Sequence, residues 1–152
     1  MICYAMSTEA NFASAEIELV IHATEDRQKV LSVIESTIGI KLEAFAVSNA
    51  RGHFGNEITL LKANINGKQA TELAYKIARM MSDVDRMHMH DNFDLYTDGK
   101  NSLYIRISKQ NLFERKIVLS QTDSLKIKLR TVRRFQPKGE MESYRKFLVQ
   151  SD

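Results

Sequence analysis

The feature that most constrains this chain is a period-two alternation in "LKIKLRTVRR", the stretch from Leu125 to Arg134. Leu125, Ile127 and Leu129 fall on one face of an extended segment, and Lys126, Lys128 and Arg130 fall on the other. Such a repeat predicts a β-strand with one buried face. Ile17, Leu19 and Ile21 in "EIELVIHA", and Leu103, Ile105 and Ile107 in "LYIRIS", alternate in the same way. What sets the late stretch apart is three cations on one face, followed by Arg133 and Arg134. Like charges so placed repel one another. They serve either as a solvated edge that guards against aggregation or as a surface for a partner with regularly spaced negative charge, such as nucleic acid.

The charge balance favours the second reading. The formal net charge is +3, but residues 1–99 hold 9 Lys and Arg against 14 Asp and Glu, whereas residues 100–152 hold 13 against 5. A net of −5 thus precedes a net of +8, an asymmetry that points to a polyanionic partner if the cations share one surface. The remaining composition is that of a globular domain, with 43% hydrophobic and 27% charged residues in 152, long enough to bury a core without disulfides or metal. Cys3 is the sole cysteine and has no intramolecular partner, so a reducing, intracellular setting is expected. No apolar run approaches the roughly 18 residues of a membrane helix. The first 15 residues lack the basic and apolar regions of a signal peptide and read as a flexible leader, with Met6 as an alternative start.

Strand and helix patterns alternate without repeats. After the first strand, "TEDRQKVLSVIESTIG" predicts a helix with Thr24 as N-cap, Glu25 and Asp26 at the positive end of its dipole, and Gly39 as its stop. Its apolar stripe is Val30, Val33, Ile34, Thr37 and Ile38. "IKLEAFAVSN" and "EITLLKANI" read as a hairpin joined by the Gly-bearing "ARGHFGN". A second helix is expected from Lys68 to Ser82. Next comes a short helical or looped passage, and then a hairpin turning at Asp98-Gly99, with Phe93 and Leu95 facing Leu103, Ile105 and Ile107. That pairing leaves Tyr104 and Arg106 side by side on the outer face. "KIVLS" and "LKIKLR" complete the strands. Pro137 marks a tail whose "MESYRKFLV" is expected to dock Tyr144, Phe147 and Leu148. The sum is a single α+β domain, a mostly antiparallel sheet with two main helices on one face. Its divisions are residues 1–15 as leader, 16–135 as domain and 136–152 as tail.

Motifs for catalysis are missing. "HMHD", His88 to Asp91, resembles a ligand pair on a strand, but no further His or Cys cluster accompanies it, and surface histidines near a helix end account for it. No nucleophile elbow is present, and "RGHFGN" lacks both the spacing and the lysine of a phosphate-binding loop. Glu16 and Glu18 read as a solvated face, and the methionines at 80, 81, 87 and 89 as packing around the second helix. More informative is "LYIRISKQNLFERK", which interleaves Arg106, Lys109, Arg115 and Lys116 with Tyr104, Gln110 and Phe113. Cations meet phosphates, rings stack on unpaired bases, and amides bond base edges or 2′-hydroxyls, so this mixture suits RNA.

Four blocks, "HATED" (22–26), "FGNEI" (54–58), "DGKNSLYIRISKQ" (98–110) and "DSLKIKLR" (123–130), together resemble the archaeal RNA-binding family predicted to be exosome-associated. The resemblance spans roughly residues 16–130, with the motifs in matching order. It implies an α+β fold similar to the large-subunit ribosomal protein that carries 5S RNA, RNA binding as the activity, and an archaeal, cytoplasmic setting. Lys109 and Gln110 match the family's Lys-Gln pair, Tyr104 and Arg106 the strand before it, and Gly55 and Asn56 the turn. Two departures stand out. Ser108 replaces the Asp usual before the Lys-Gln pair, and Arg115 replaces the Gly common after the aromatic.

The sequence thus predicts a non-catalytic RNA-binding protein needing no cofactor or metal. Lys126, Lys128, Arg130, Arg133, Arg134, Arg106 and Lys109 would contact phosphates, and Tyr104 and Gln110 would contact bases or sugars. Exosome components are expected as further partners. Two alternatives stay open: a protein-interaction or homodimerisation module with a basic sheet edge, and a metal-dependent hydrolase built around His88 and His90.

Overall fold

The alternating segments become neighbouring strands because each has one apolar side to bury. The structure, a computed structural model, describes residues 10–132 and 144–148. The elements in chain order are β1 (Phe12–His22), α1 (Arg27–Ile38), β2 (Phe45–Arg51), β3 (Glu57–Asn66), α2 (Gly67–Met80), α3 (Asp83–Asp91), β4 (Ser102–Ser108), α4 (Lys109–Leu112) and β5 (Ser124–Thr131). The strands form one antiparallel sheet in the order β2-β3-β1-β5-β4. The α+β architecture expected from the sequence is therefore the one observed.

The inner face of the sheet carries Ile17, Leu19 and Ile21, Leu61, Leu103, Ile105 and Ile107, and Leu125, Ile127 and Leu129, all buried. They share one core with Val30, Ile34 and Ile38 of α1 and Leu73, Ala74 and Ile77 of α2. Burial of each large aliphatic side chain contributes about 1.5–3 kcal/mol, so the layer of helices holds this face shut. The other face has no helical layer among the described residues.

Several local expectations are corrected. β1 begins at Phe12, inside the segment expected to be a leader, and its start is tied to α2 by the Phe12 N–H donating to Thr71 Oγ1 (2.9 Å). The N-cap of α1 is Asp26 rather than Thr24, its carboxylate accepting from the Lys29 N–H (3.3 Å), while Gly39 ends the helix in the left-handed region (φ 83°) as expected. Leu42–Ala44 is a 3-10 turn, so β2 starts later than the apolar pattern predicts. Phe93–Tyr96 is also a 3-10 turn, with Phe93 buried and Leu95 77% exposed, so these residues do not pair with β4. "KIVLS" makes only lone bridges, Met81 to Ile117 and Leu119 to Ile107. "HMHD" lies on α3, where residues two apart point away from each other rather than sharing a face.

At the expected Asp98-Gly99 turn, the Asp98 carboxylate accepts from the N–H groups of Lys100, Asn101 and Ser102 (2.8–3.1 Å). Burial pushes this carboxyl up, but those backbone donors outweigh it and hold it below the usual carboxylate range. The support it gives the turn is complete at neutral pH and fades as pH falls through that depressed value. Within the tail, Tyr144, Phe147 and Leu148 are buried. Phe12 meets both rings edge-on at 5.4 Å, and the Tyr144 hydroxyl donates to the Asn11 carbonyl (2.7 Å).

α4 ends in a left-handed cap. The Lys116 N–H donates to the Asn111 carbonyl (3.0 Å) around Arg115 at φ 60°, a six-to-one closure in which glycine is the usual occupant. A side chain in that conformation costs roughly 1–2 kcal/mol, and glycine's extra freedom when unfolded returns about 0.5–1 kcal/mol of that. Arg115→Gly should therefore stabilise the protein by about 0.5–1 kcal/mol, read as a higher urea midpoint with an unchanged slope.

Candidate nucleic-acid interface

The cations of "LKIKLR" do not stand alone, because β1 lies beside β5 and brings two carboxylates to the same face. Glu18 is directly opposite Lys126, and Glu16 opposite Lys128. On the far side of β1, Glu18 faces Lys62 and Glu16 faces Asn64. On the far side of β5, Lys126 faces Arg106 and Lys128 faces Tyr104. Cross-strand opposite charges contribute about 0.2–1 kcal/mol each, which explains how three cations share one strand face.

That neutralisation is incomplete. Five strand cations, Lys62, Arg106, Lys126, Lys128 and Arg130, share the open face with two carboxylates. Lys62 Nζ pairs with Glu18 (3.3 Å), and Lys128 Nζ lies 5.8 Å from the centroid of the Tyr104 ring. Lys126, Arg106 and Arg130 have no carboxylate partner among the described residues. A concavity of ≈ 570 Å³ lies over this face, floored by Ala44 and Ala46 at the β2 side and bounded by Tyr104 and Arg106 at the β4 side. Tyr104 is 40% exposed. Ring and ammonium together form a flat, cationic platform.

Of the residues singled out from the sequence, the structure brings Tyr104, Arg106, Lys126 and Lys128 together in the concavity. Arg130 lies on the same face, opposite Ser14 and Ser102. Gln110 is exposed on α4, outside the lining, and Arg133 and Arg134 lie outside the described residues.

Lys109 is the main correction. Instead of joining the basic surface it is 2% exposed, because its ammonium donates to the Val20 carbonyl (2.6 Å) and to Glu25 (2.9 Å) and pairs with Asp123 (3.0 Å). His22, Glu25 and Asp123 bring donor atoms within 4.8 Å of one another, as a cation site would. Lys109 already supplies the positive charge at their centre, so this cluster is the counter-ion shell of an ammonium. Sequence reasoning missed Lys62, Asn64, Glu16 and Glu18 as members of the open face. Their period-two positions were visible, but the strand order that aligns them was not.

The family described as RNA binding matches residues 14–131. The chain belongs to this family. Within reach of it, the RNA-binding protein PAB1135 of Pyrococcus abyssi is 28% identical over 114 residues, covering 72% of this chain and 74% of that protein. Protein MJ0213 of Methanocaldococcus jannaschii, which is uncharacterized, is 26% identical over 141 residues, covering 90% and 95%. Among solved structures, the DUF54 protein SSO0741 of Sulfolobus solfataricus superposes with a TM-score of 0.72 at 26% identity, covering 90% of this chain and 96% of its own. The family's archaeal membership agrees with the resemblance drawn from the motifs.

Replacing Lys109 separates its structural role from any part in ligand contact. Lys109→Met leaves Glu25 and Asp123 facing each other without a cation. The expected loss is about 2–4 kcal/mol in urea unfolding, below the full range for a buried pair because Asp123 is half exposed. In conditions where the variant stays folded, the salt dependence of RNA affinity should not change.

Proposed function

We propose that the open face of the sheet binds RNA without catalysing a reaction on it. The observation that carries this reading is a set of cations without a carboxylate partner among the described residues: Lys126 and Arg106 beside an exposed Tyr104 in one concavity, with Arg130 on the same face. Cations spaced along and across strands meet successive phosphates, and the ring offers a stacking platform that every base accepts. Membership of the RNA-binding family and the likeness to the Pyrococcus RNA-binding protein support it. Gln110, Arg133 and Arg134 are further RNA contacts in this proposal.

On this reading the protein works in the cytoplasm beside RNA-processing or degradation machinery such as the exosome. That association, like the kinship with the ribosomal protein that carries 5S RNA, rests on the family resemblance. Co-purification of tagged protein with exosome subunits, before and after ribonuclease treatment, tests it. The homodimer alternative is read by size-exclusion with and without RNA.

Fluorescence-anisotropy titration of a labelled single-stranded RNA across a salt series tests the binding itself. Four or five phosphate contacts at about 0.7 each predict a log–log slope near −3. Lys126→Ala/Arg106→Ala should weaken every RNA similarly and flatten the slope by about 1.4. An unchanged slope would place the contact surface elsewhere, and no binding at low salt would leave this face as a protein-docking surface.

A further inference from the structure

The open face is not a uniform basic patch. Strand register sorts its side chains into two parallel rows that cross the sheet. One row runs Lys62, Glu18, Lys126, Arg106, each directly opposite the next on β3, β1, β5 and β4. Its one carboxylate is matched within the row by Lys62 (3.3 Å), so Lys126 and Arg106 are left over as net positive charge. The neighbouring row, two residues along each strand and therefore about 7 Å away, runs Asn64, Glu16, Lys128, Tyr104.

This second row has a different chemistry. Lys128 is turned onto the Tyr104 ring, and Glu16, exposed, has neither an ion-pair nor a hydrogen-bond partner among the described residues. Glu16 stands opposite Lys128 in the register, but with Lys128 on the Tyr104 ring the two make no direct ion pair, and the Glu16 carboxylate is left open to solvent in the middle of the face. Its two oxygens form a pair of adjacent acceptors, flanked by the Asn64 amide and reached from an aromatic platform. Among the four RNA bases, guanine alone offers two adjacent donors, N1–H and N2–H, on its Watson–Crick edge. Cytosine and adenine present one amino group each, and uracil one imide N–H.

Resting on the RNA-binding reading above, we infer that this face takes single-stranded RNA laid across the strands, with phosphates along the Lys126–Arg106 row, bases along the Glu16–Tyr104 row, and Glu16 selecting guanine. Single strands are required because the Watson–Crick edge must be unpaired to be read. Tyr104 stacks a base, and Glu16 accepts from the guanine edge. Glu16 is then the specificity residue of the surface, and Lys126 and Arg106 its affinity residues.

The test uses the full chain and four labelled 10-mers: oligouridine, the same strand with one central guanosine, the same with inosine in that place, and a guanosine-containing duplex. A bidentate contact discriminates by roughly fivefold or more. The guanosine strand should therefore bind at least about fivefold tighter than oligouridine, with inosine, which lacks the N2 amine, in between and the duplex weakest. Glu16→Gln should abolish the preference while oligouridine binds as well or better, since a negative charge has gone. Glu16→Asp, which keeps the charge but withdraws it by one methylene, should lose most of the preference, whereas Glu18→Gln should shift all strands alike. Equal, salt-sensitive binding of uridine and guanosine strands, a guanosine preference that survives Glu16→Gln, or a duplex that binds best would overturn the inference and leave RNA binding standing. Failure of every strand to bind at low salt would overturn both.

Discussion

One buried ammonium holds the end of this sheet together. Lys109 lies just after β4, and its three partners come from the last part of β1 (Val20), the turn before α1 (Glu25) and the residue before β5 (Asp123). Removing a charge from water is unfavourable by several kcal/mol unless its hydrogen bonds are replaced, and here two carboxylates and a carbonyl replace them. Asp123 sits at φ 44°, a conformation that Asp tolerates better than most residues. Its own carbonyl accepts from the Lys109 N–H as well (3.4 Å). The chain is thereby pinned one residue before β5 begins. A slip of a single residue would turn Lys126, Lys128 and Arg130 inward and Leu125, Ile127 and Leu129 outward, so the knot and the apolar face together decide which side the cations take.

Given that register, the central place of β1 resolves the repulsion within "LKIKLR". A strand with Glu16 and Glu18 between two strands bearing lysines converts a row of like charges into an alternating lattice. Had β5 been an edge strand, its cations would have needed solvent alone to separate them. The edges fall instead to β2 and β4. β4 is partly covered by the segment after α4, where the Ser108 N–H donates to the Val118 carbonyl and the Ser120 N–H to that of Arg106 (2.8 and 3.0 Å). Irregular cover of this kind blocks edge-to-edge pairing without adding a full strand.

Much of this was legible locally and little of it globally. Period-two runs gave the strands their inner and outer faces, Gly39 gave α1 its end, and Tyr104 and Arg106 came out side by side as their spacing requires. Residues 116–120 alternate like a strand, yet only lone bridges form, because pairing depends on what lies alongside. Leu95 fits an inward position by pattern but lies within a 3-10 turn that rotates it to solvent. The open face suffered most. Its β5 and β4 members were found because they are dense in charge, whereas Lys62, Asn64, Glu16 and Glu18 look unremarkable until the order β3-β1-β5-β4 aligns them. Lys109 failed for the opposite reason, since a lysine in a basic, aromatic stretch reads as surface and only tertiary structure supplies two carboxylates to bury it.

Three of the four blocks that carry the family resemblance divide between these two tasks. His22, Glu25, Lys109 and Asp123 meet at the knot, while Tyr104, Arg106 and the cations of 126–130 share the open face. The departure at Ser108 belongs to the first group and is conservative in effect. Its hydroxyl accepts from the Asn111 N–H (3.1 Å) to cap α4, the work an Asp would do there, without setting a third carboxylate next to the lysine. A match to such blocks therefore speaks first to how the chain closes and only in part to what it binds. The second set lies on the open face, where side chains can vary in identity without disturbing the knot that fixes where they point.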